Sequence, residues 1–274
     1  MSARSSPHQP GAAPASTLPE QLAAMNRTGR VVAVRGVHGG GGATTVAVHL
    51  AGAWARWGAG PVGLLDVAGG LAQRLDLPAG VRTWTDLAGL GDRLDDAVLG
   101  GVLTEPWPGL WVLPRRGLVD GGQAEPAPDA ALVRTVVAAG RRAWRVVVAD
   151  LPPAGGPQVD AALEAADALL AVGGCHGAGV RGAGAALDLW AAGGRRPAAA
   201  GAVITGARSR APLAPREARA TLGDRLWALV ADEAAEFTAA AEDGMLLLDR
   251  QDLQAVRTLV GLANRVVAFG TPAG

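Results

Sequence analysis

The residues with the clearest capacity for chemistry are His38-Gly39-Gly40-Gly41-Gly42-Ala43-Thr44-Thr45, joined further along the chain by Asp66 and Asp150. Consecutive glycines let a backbone curl with positive φ and turn its N–H groups toward an anion. They follow the apolar, β-branched run Val31-Val32-Ala33-Val34 and precede a helical stretch from about Ala43 to Trp57. A helix starting there adds free N–H groups and the positive end of its dipole at the same point. That combination suits phosphate binding. A glycine-rich turn without a ligand is the alternative, and it explains less of the strand-loop-helix context.

The elements that must position these residues alternate along the chain. Val62-Gly63-Leu64-Leu65-Asp66 reads as a second strand ending on an acid, and Leu110-Trp111-Val112-Leu113 as a third. A helix over 129–142 leads into Arg145-Val146-Val147-Val148-Ala149-Asp150, the clearest strand of all. Ala168-Leu169-Leu170-Ala171-Val172 and Ala202-Val203-Ile204-Thr205 are predicted strands separated by a helix around 178–192, and Leu226-Trp227-Ala228-Leu229-Val230 a short edge strand. Apolar strands alternating with helices predict a doubly wound α/β fold, a mostly parallel sheet with helices on both faces. Such sheets bind ligands at the C-terminal ends of their strands, where the glycine turn, Asp66 and Asp150 all fall. Residues 29–270 are expected to form this domain and 1–28, rich in Ser, Pro, Ala and Gly, a disordered tail. The Pro/Gly-rich segment 114–128 reads as a surface loop.

Composition narrows the function classes. The chain has 274 residues, 18% of them charged, with basic and acidic side chains balanced at 25 each. Nothing global marks a nucleic-acid-binding surface. All the basic residues are arginine, so no lysine can reach the glycine loop from this chain or from an identical subunit. A single cysteine, Cys175, excludes an internal disulfide and a multi-cysteine metal cluster, and fits a reducing, cytoplasmic setting. No apolar run is long enough to span a bilayer, and the N-terminal stretch lacks the apolar core of a signal peptide.

Gly39-Gly40-Gly41-Gly42-Ala43-Thr44-Thr45 resembles the deviant Walker A loop of the MinD/ParA family, which reads Lys-Gly-Gly-x-Gly-Lys-Thr-Thr. The resemblance extends over most of residues 31–269. Leu64-Leu65-Asp66 is similar to the family's second strand and Val148-Ala149-Asp150-Leu151-Pro152 to its Walker B and switch II segment. Ala165-Ala166-Asp167 and Asp243-Gly244 match later junctions. The resemblance implies a P-loop fold and ATP or ADP with Mg²⁺ as ligand, with Gly39, Gly40, Gly41, Gly42, Ala43, Thr44 and Thr45 forming the nucleotide site and Thr44, Asp66 and Asp150 at the metal. The departures count equally. Ala43 stands where the family has the lysine that contacts the β- and γ-phosphates. His38 stands in place of the signature lysine that crosses a dimer, and Ala68 in place of the second acid of an Asp-x-Asp pair. Phosphoryl transfer rests on positioning and charge neutralisation, and each lost group typically costs about 10²–10³ in rate. Very weak or absent ATP hydrolysis is therefore expected, a pseudo-ATPase without catalytic residues, with nucleotide binding left open.

Loops of the form Gly-Gly-x-Gly-Ala-[Ser/Thr]-Thr resemble those of the CpaE/TadZ branch, and actinobacterial relatives of that branch are described as septum-site-determining proteins. Arg82-Thr83-Trp84-Thr85-Asp86-Leu87-Ala88-Gly89-Leu90, Leu94-Asp95 and Gly109-Leu110-Trp111-Val112-Leu113-Pro114 are similar to the segment after that branch's second strand. The receiver-like N-terminal domain of many members is expected to be absent or reduced to the tail. The resemblance implies a localisation or assembly factor for Flp/Tad pilus, secretion or septum machinery. It would work through protein partners and as a candidate homodimer, in the cytoplasm or recruited to the pole, septum or inner membrane face. An active MinD/ParA ATPase in cell division or partitioning is the rival reading, and it lacks its lysine.

Other features carry bland readings. Arg208, Arg210, Arg216 and Arg219 are expected to be a solvated loop and helix face rather than a DNA-binding patch. Gln251–Phe269 has helical apolar spacing at Leu253, Val256, Leu259, Val260, Ala263 and Val267, and reads as a helix packed on the sheet rather than a membrane anchor. His49 and His176 lack metal-ligand spacing, Cys175 reads as an idle thiol, and Trp54 and Trp57 as packing or partner residues. His38 is left as a phosphate contact, a partner contact or a neutral replacement.

Overall fold

Val31 and Ala33 face one side of a sheet and Val32 and Val34 the other, all of them buried, because the strand that holds them lies at the sheet's centre. This strand, β1 (Arg30–Gly36), runs parallel to β5 (Val146–Leu151) on one side and to β6 (Ala168–Gly174) on the other. The computed structural model describes residues 29–57, 60–117, 124–195, 199–208, 213 and 215–268. The predicted tail 1–28 lies outside the described residues, as do 118–123 of the predicted loop, Arg210 and Phe269.

Eight strands form one sheet in the order β3-β4-β2-β5-β1-β6-β7-β8. The remaining strands are β2 (Val62–Asp66), β3 (Thr104–Trp107), β4 (Leu110–Leu113), β7 (Ala200–Ala207) and β8 (Leu226–Ala231). All pairings are parallel except β3 with β4. The predicted strands are all present, and β8 is indeed an edge. Strand β3 was not predicted: Thr-Glu-Pro-Trp has no apolar alternation and contains Pro106, which an edge strand tolerates and a central one does not.

Helices cover both faces. On one face α1 (Ala43–Arg56) packs with α9 (Ala234–Glu242) and α10 (Gln254–Ala268) against Val32, Val34 and Val148. On the other, α5 (Ala130–Ala143), α6 (Pro157–Ala165) and α7 (Gly177–Ala192) pack against Val31, Ala33 and Val147. Short helices α2 (Leu71–Arg74), α3 (Trp84–Ala88) and α4 (Asp96–Val102) follow β2, and α8 (Pro215–Leu222) follows β7. The final helix buries Ala255, Val256, Leu259, Leu262, Ala263 and Val266, so its apolar stripe packs on the protein as the spacing predicts. Fully buried Trp54 donates its indole N–H to Ala263 C=O at 3.3 Å, fastening α1 to α10.

From β1 the chain winds toward β2 in one direction and, after β5, toward β6, β7 and β8 in the other. The order reverses around β1, and a crevice outside the strand C-termini is the geometric result. Strand register places the candidate residues there: Asp66 lies beside Asp150, Val34 beside Asp150, and Gly174 beside Thr205.

His49 is packed rather than solvated. Its Nδ1–H donates to Thr45 C=O at 2.8 Å, and its Nε2 accepts from Leu247 N–H at 3.4 Å. Burial pushes its pKa from 6.5 down to about 4, with the Thr45 carbonyl opposing and the Arg74 charge adding to the fall. The unfolded chain takes up a proton near pH 6.5 while the native ring resists to about 4. The contribution is therefore complete above pH 6.5 and is lost as pH falls through that window. A gap of this size is worth about 3 kcal/mol. We expect His49→Gln to lose less stability than the wild type between pH 7 and 4.5 in urea titrations; an equal loss in both would remove His49 as the cause.

Candidate phosphate-binding site

Strand β1 ends at Gly36, and the chain turns through His38–Gly41 into the first turn of α1. Gly40 and Gly42 have φ of +72° and +80°, so two of the loop's turns require the left-handed region that glycine enters freely. A Cβ on Gly39 or Gly40 would meet nothing within 4 Å, which leaves the outer curve of the loop open to a ligand. The α1 ladder opens with Val46 N–H on Gly42 C=O at 2.9 Å, and no side chain caps the helix. The N–H groups of Ala43, Thr44 and Thr45 therefore belong to the uncapped first turn, the geometry that receives anions.

The loop is braced from behind. Thr205 Oγ1–H on β7 donates to Gly41 C=O at 2.9 Å. The His38 ring spans the loop: Nδ1–H donates to Gly39 C=O at 2.8 Å and Nε2 accepts from Gly174 N–H at 3.0 Å. Those bonds engage both ring nitrogens of His38 within the molecule, and the residue also lines the cleft that opens from the loop. Its neighbour at 4.7 Å between ring centroids is His176, whose Nδ1 accepts from Gly179 N–H and caps α7. His176 is thereby no base for Cys175, whose buried thiol donates to Leu213 C=O at 3.2 Å and is pushed up in pKa by burial.

The two candidate carboxylates differ sharply. Asp66, fully buried, accepts four backbone N–H bonds, from Gly69, Gly70, Leu71 and Arg115. Burial raises its pKa, against those N–H donors. Arg115 reinforces the same turn through Val67 and Ala68 carbonyls, and Arg116 N–H reaches Glu125, which also accepts from Thr83 and Thr85. Asp150 is also fully buried, but only Oδ2 is engaged, accepting from Thr44 Oγ1–H at 2.7 Å. Its Oδ1 meets no donor among the described residues. Burial, and then the nearby Asp66 charge, hold its pKa well above the usual carboxylate range despite the Thr44 bond. A hydroxyl and a buried carboxylate with one oxygen to spare are donors that suit Mg²⁺. Among the described residues no three His, Cys, Asp or Glu side chains cluster as a metal site, so such an ion would draw further oxygens from the ligand and water. Ala68 presents only a methyl group, and its N–H is tied to Asp150 C=O at 3.0 Å.

A cleft of about 550 Å³ opens from the loop. Gly42, Thr45, Gly174 and Thr205 line it together with the charged Arg208 and Asp232 and the apolar Val46, Phe237 and Leu259. Arg208 pairs with Asp232 at 3.0 Å, while Arg216 and Arg219 are exposed on α8, the solvated arrangement expected of that basic group. Thr205, His176 and Arg74, which also lines the cleft, were not singled out for this site from the sequence. Arg74 carried a signal: it shares the apolar stripe of Leu71 and Leu75, where a charge is out of place.

No protein-family model matches the chain. It is 40% identical over 154 residues to the uncharacterized protein Rv3660c of Mycobacterium tuberculosis, a match covering 54% of this chain and 40% of that protein. The chain thus spans well under half the length of that relative. Among solved structures it resembles a ParA family ATPase from Chlorobium tepidum (TM-score 0.73, 18% identity, 87% of this chain and 98% of the other). It also resembles the septum site-determining protein MinD of Pyrococcus horikoshii complexed with Mg-ADP (TM-score 0.69, 18% identity, 85% and 94%). These likenesses establish the MinD/ParA-type P-loop α/β fold. No helix among the described residues is long and apolar enough to cross a membrane.

Proposed function

We propose that the chain is a nucleotide-binding positioning factor of the CpaE/TadZ type that holds ATP or ADP with Mg²⁺ and scarcely hydrolyses it. The observation that carries this reading is the pairing of a kept cradle with missing catalytic groups. Gly40 and Gly42 retain the turn, and Asp150 retains an unpartnered oxygen beside Thr44, yet Ala43 and Ala68 occupy the positions of a cation and an acid. In this reading the N–H groups of Gly39–Thr45 bind phosphate oxygens, and Thr44 and Asp150 hold the metal. Asp66 shapes the adjoining turn rather than ligating. The metal would neutralise phosphate charge; no side chain at position 68 can orient a water for attack.

Such a site suits a switch whose output is a surface rather than a product. Protein partners in pilus, secretion or septum machinery, a homodimer, and cytoplasmic placement with recruitment to the pole, septum or inner membrane face remain parts of the proposal. An identical partner could not repair the site, because the chain has no lysine to lend. The test is steady-state phosphate release from Mg-ATP. The wild type is expected at the level of Asp150→Ala; a turnover that Asp150→Ala abolishes would overturn the pseudo-enzyme.

A further inference from the structure

Arg74 closes α2, held there by Nη1–H donating to Phe237 C=O at 2.8 Å. That bond fixes the guanidinium plane and leaves the opposite edge, Nε–H and Nη2–H, buried without an acceptor among the described residues. These two parallel donors form the side of an arginine that grips two oxygens of a phosphate or carboxylate at once. Unpaired buried charge is among the costliest features a fold can keep, and burial here is enough to lower the pKa of the group. Arg74 also lines the cleft shared with Gly42, Thr45, Val46 and Phe237.

We propose that Arg74 is an anion-binding residue of this cleft, supplying to a phosphate-bearing ligand the positive charge that Ala43 does not. The inference rests on the reading of the glycine loop as a phosphate cradle, because the cleft that Arg74 lines opens from that loop. Of the arginines lining the cleft, Arg208 is paired with Asp232, so Arg74 is the one whose fork is unspent. An arginine at this place rather than a lysine on the loop changes what the site can do. It anchors charge from α2 and leaves nothing cationic at the head of α1, which fits retention of a ligand without turnover.

The test is titration of the full chain with pyrophosphate, and with ADP in the presence and absence of Mg²⁺, for wild type, Arg74→Met, Arg74→Lys and Asp150→Asn. Arg74→Met is expected to weaken pyrophosphate and ADP by about tenfold or more, with Arg74→Lys between it and the wild type. The enhancement of ADP binding by Mg²⁺ should survive in Arg74→Met and vanish in Asp150→Asn. Unchanged affinity in Arg74→Met, with wild-type binding present, would overturn the role of Arg74 and leave the loop reading standing. No binding of either probe to the wild type would overturn both. Should Arg74→Met fail to fold, the ¹⁵Nε–H resonance of Arg74, identified by its loss in Arg74→Lys, is expected to shift on adding pyrophosphate to the wild type; an unmoved resonance at saturation would overturn the proposal.

Discussion

Asp150→Asn is expected to make the ligand-free protein more stable at neutral pH and to erase the Mg²⁺ dependence of nucleotide binding. Asp150 is fully buried with Oδ1 unpartnered, and burial and Asp66 hold its pKa well above the ordinary carboxylate range. A group whose folded pKa is raised stabilises the fold at low pH, and that contribution is lost as pH rises from the unfolded value through the folded one. At neutral pH the wild type therefore carries either a buried charge or the work of keeping a proton on it. Asparagine removes the charge while its Oδ1 can still accept from Thr44. Relief of a buried, poorly satisfied carboxylate is worth about 1–3 kcal/mol. Urea titrations from pH 4 to 8 should show the variant gaining on the wild type as pH rises, and Mg²⁺ should no longer tighten ADP. A uniformly less stable variant that still responds to Mg²⁺ would mean that Asp150 is a structural acid.

Ala43→Lys is expected to tighten ATP binding by roughly tenfold or more, because a cation at the head of α1 meets phosphate in a partly desolvated loop. Position 43 is half-buried with its methyl against Gly36, and a lysine can lay its stem along that surface and carry the ammonium outward. Hydrolysis should stay near background in the same variant. Ala68 still offers only a methyl group in place of the missing acid, and both ring nitrogens of His38 remain engaged by Gly39 and Gly174. Parallel binding and phosphate-release assays read the two effects separately. Restored steady turnover from this single change would show that the other departures carry little weight.

Much of this site was legible in the sequence because the signals were local. Four glycines between the Val31–Val34 run and an apolar helix announce a phosphate loop, and Val146-Val147-Val148 can hardly be other than a central strand. What was not legible depends on side chains meeting across the fold. Asp66 and Asp150 both end strands, and only the turn at Gly69 and Gly70, folding its N–H groups back on Asp66, separates a spent carboxylate from one with an oxygen to spare. Thr205 reaches Gly41 over a separation of 164 residues, and Gly174 reaches His38 over 136, distances at which no pattern of spacing speaks. Strand β3 escaped because Pro106 argues against a strand everywhere except at an edge, and edges are assigned by the tertiary fold.

The most direct test is calorimetric titration with Mg-ATP of the wild type beside Gly42→Val. Valine at φ +80°, with its Cβ 3.4 Å from Thr205 Cγ2, cannot keep the turn that aims the loop's N–H groups. The wild type should bind with one site per chain and release no phosphate during the titration, and the variant should bind at least about a hundredfold more weakly. Absence of binding in the wild type, or equal binding in both proteins, would contradict the claim that this loop is a working phosphate cradle.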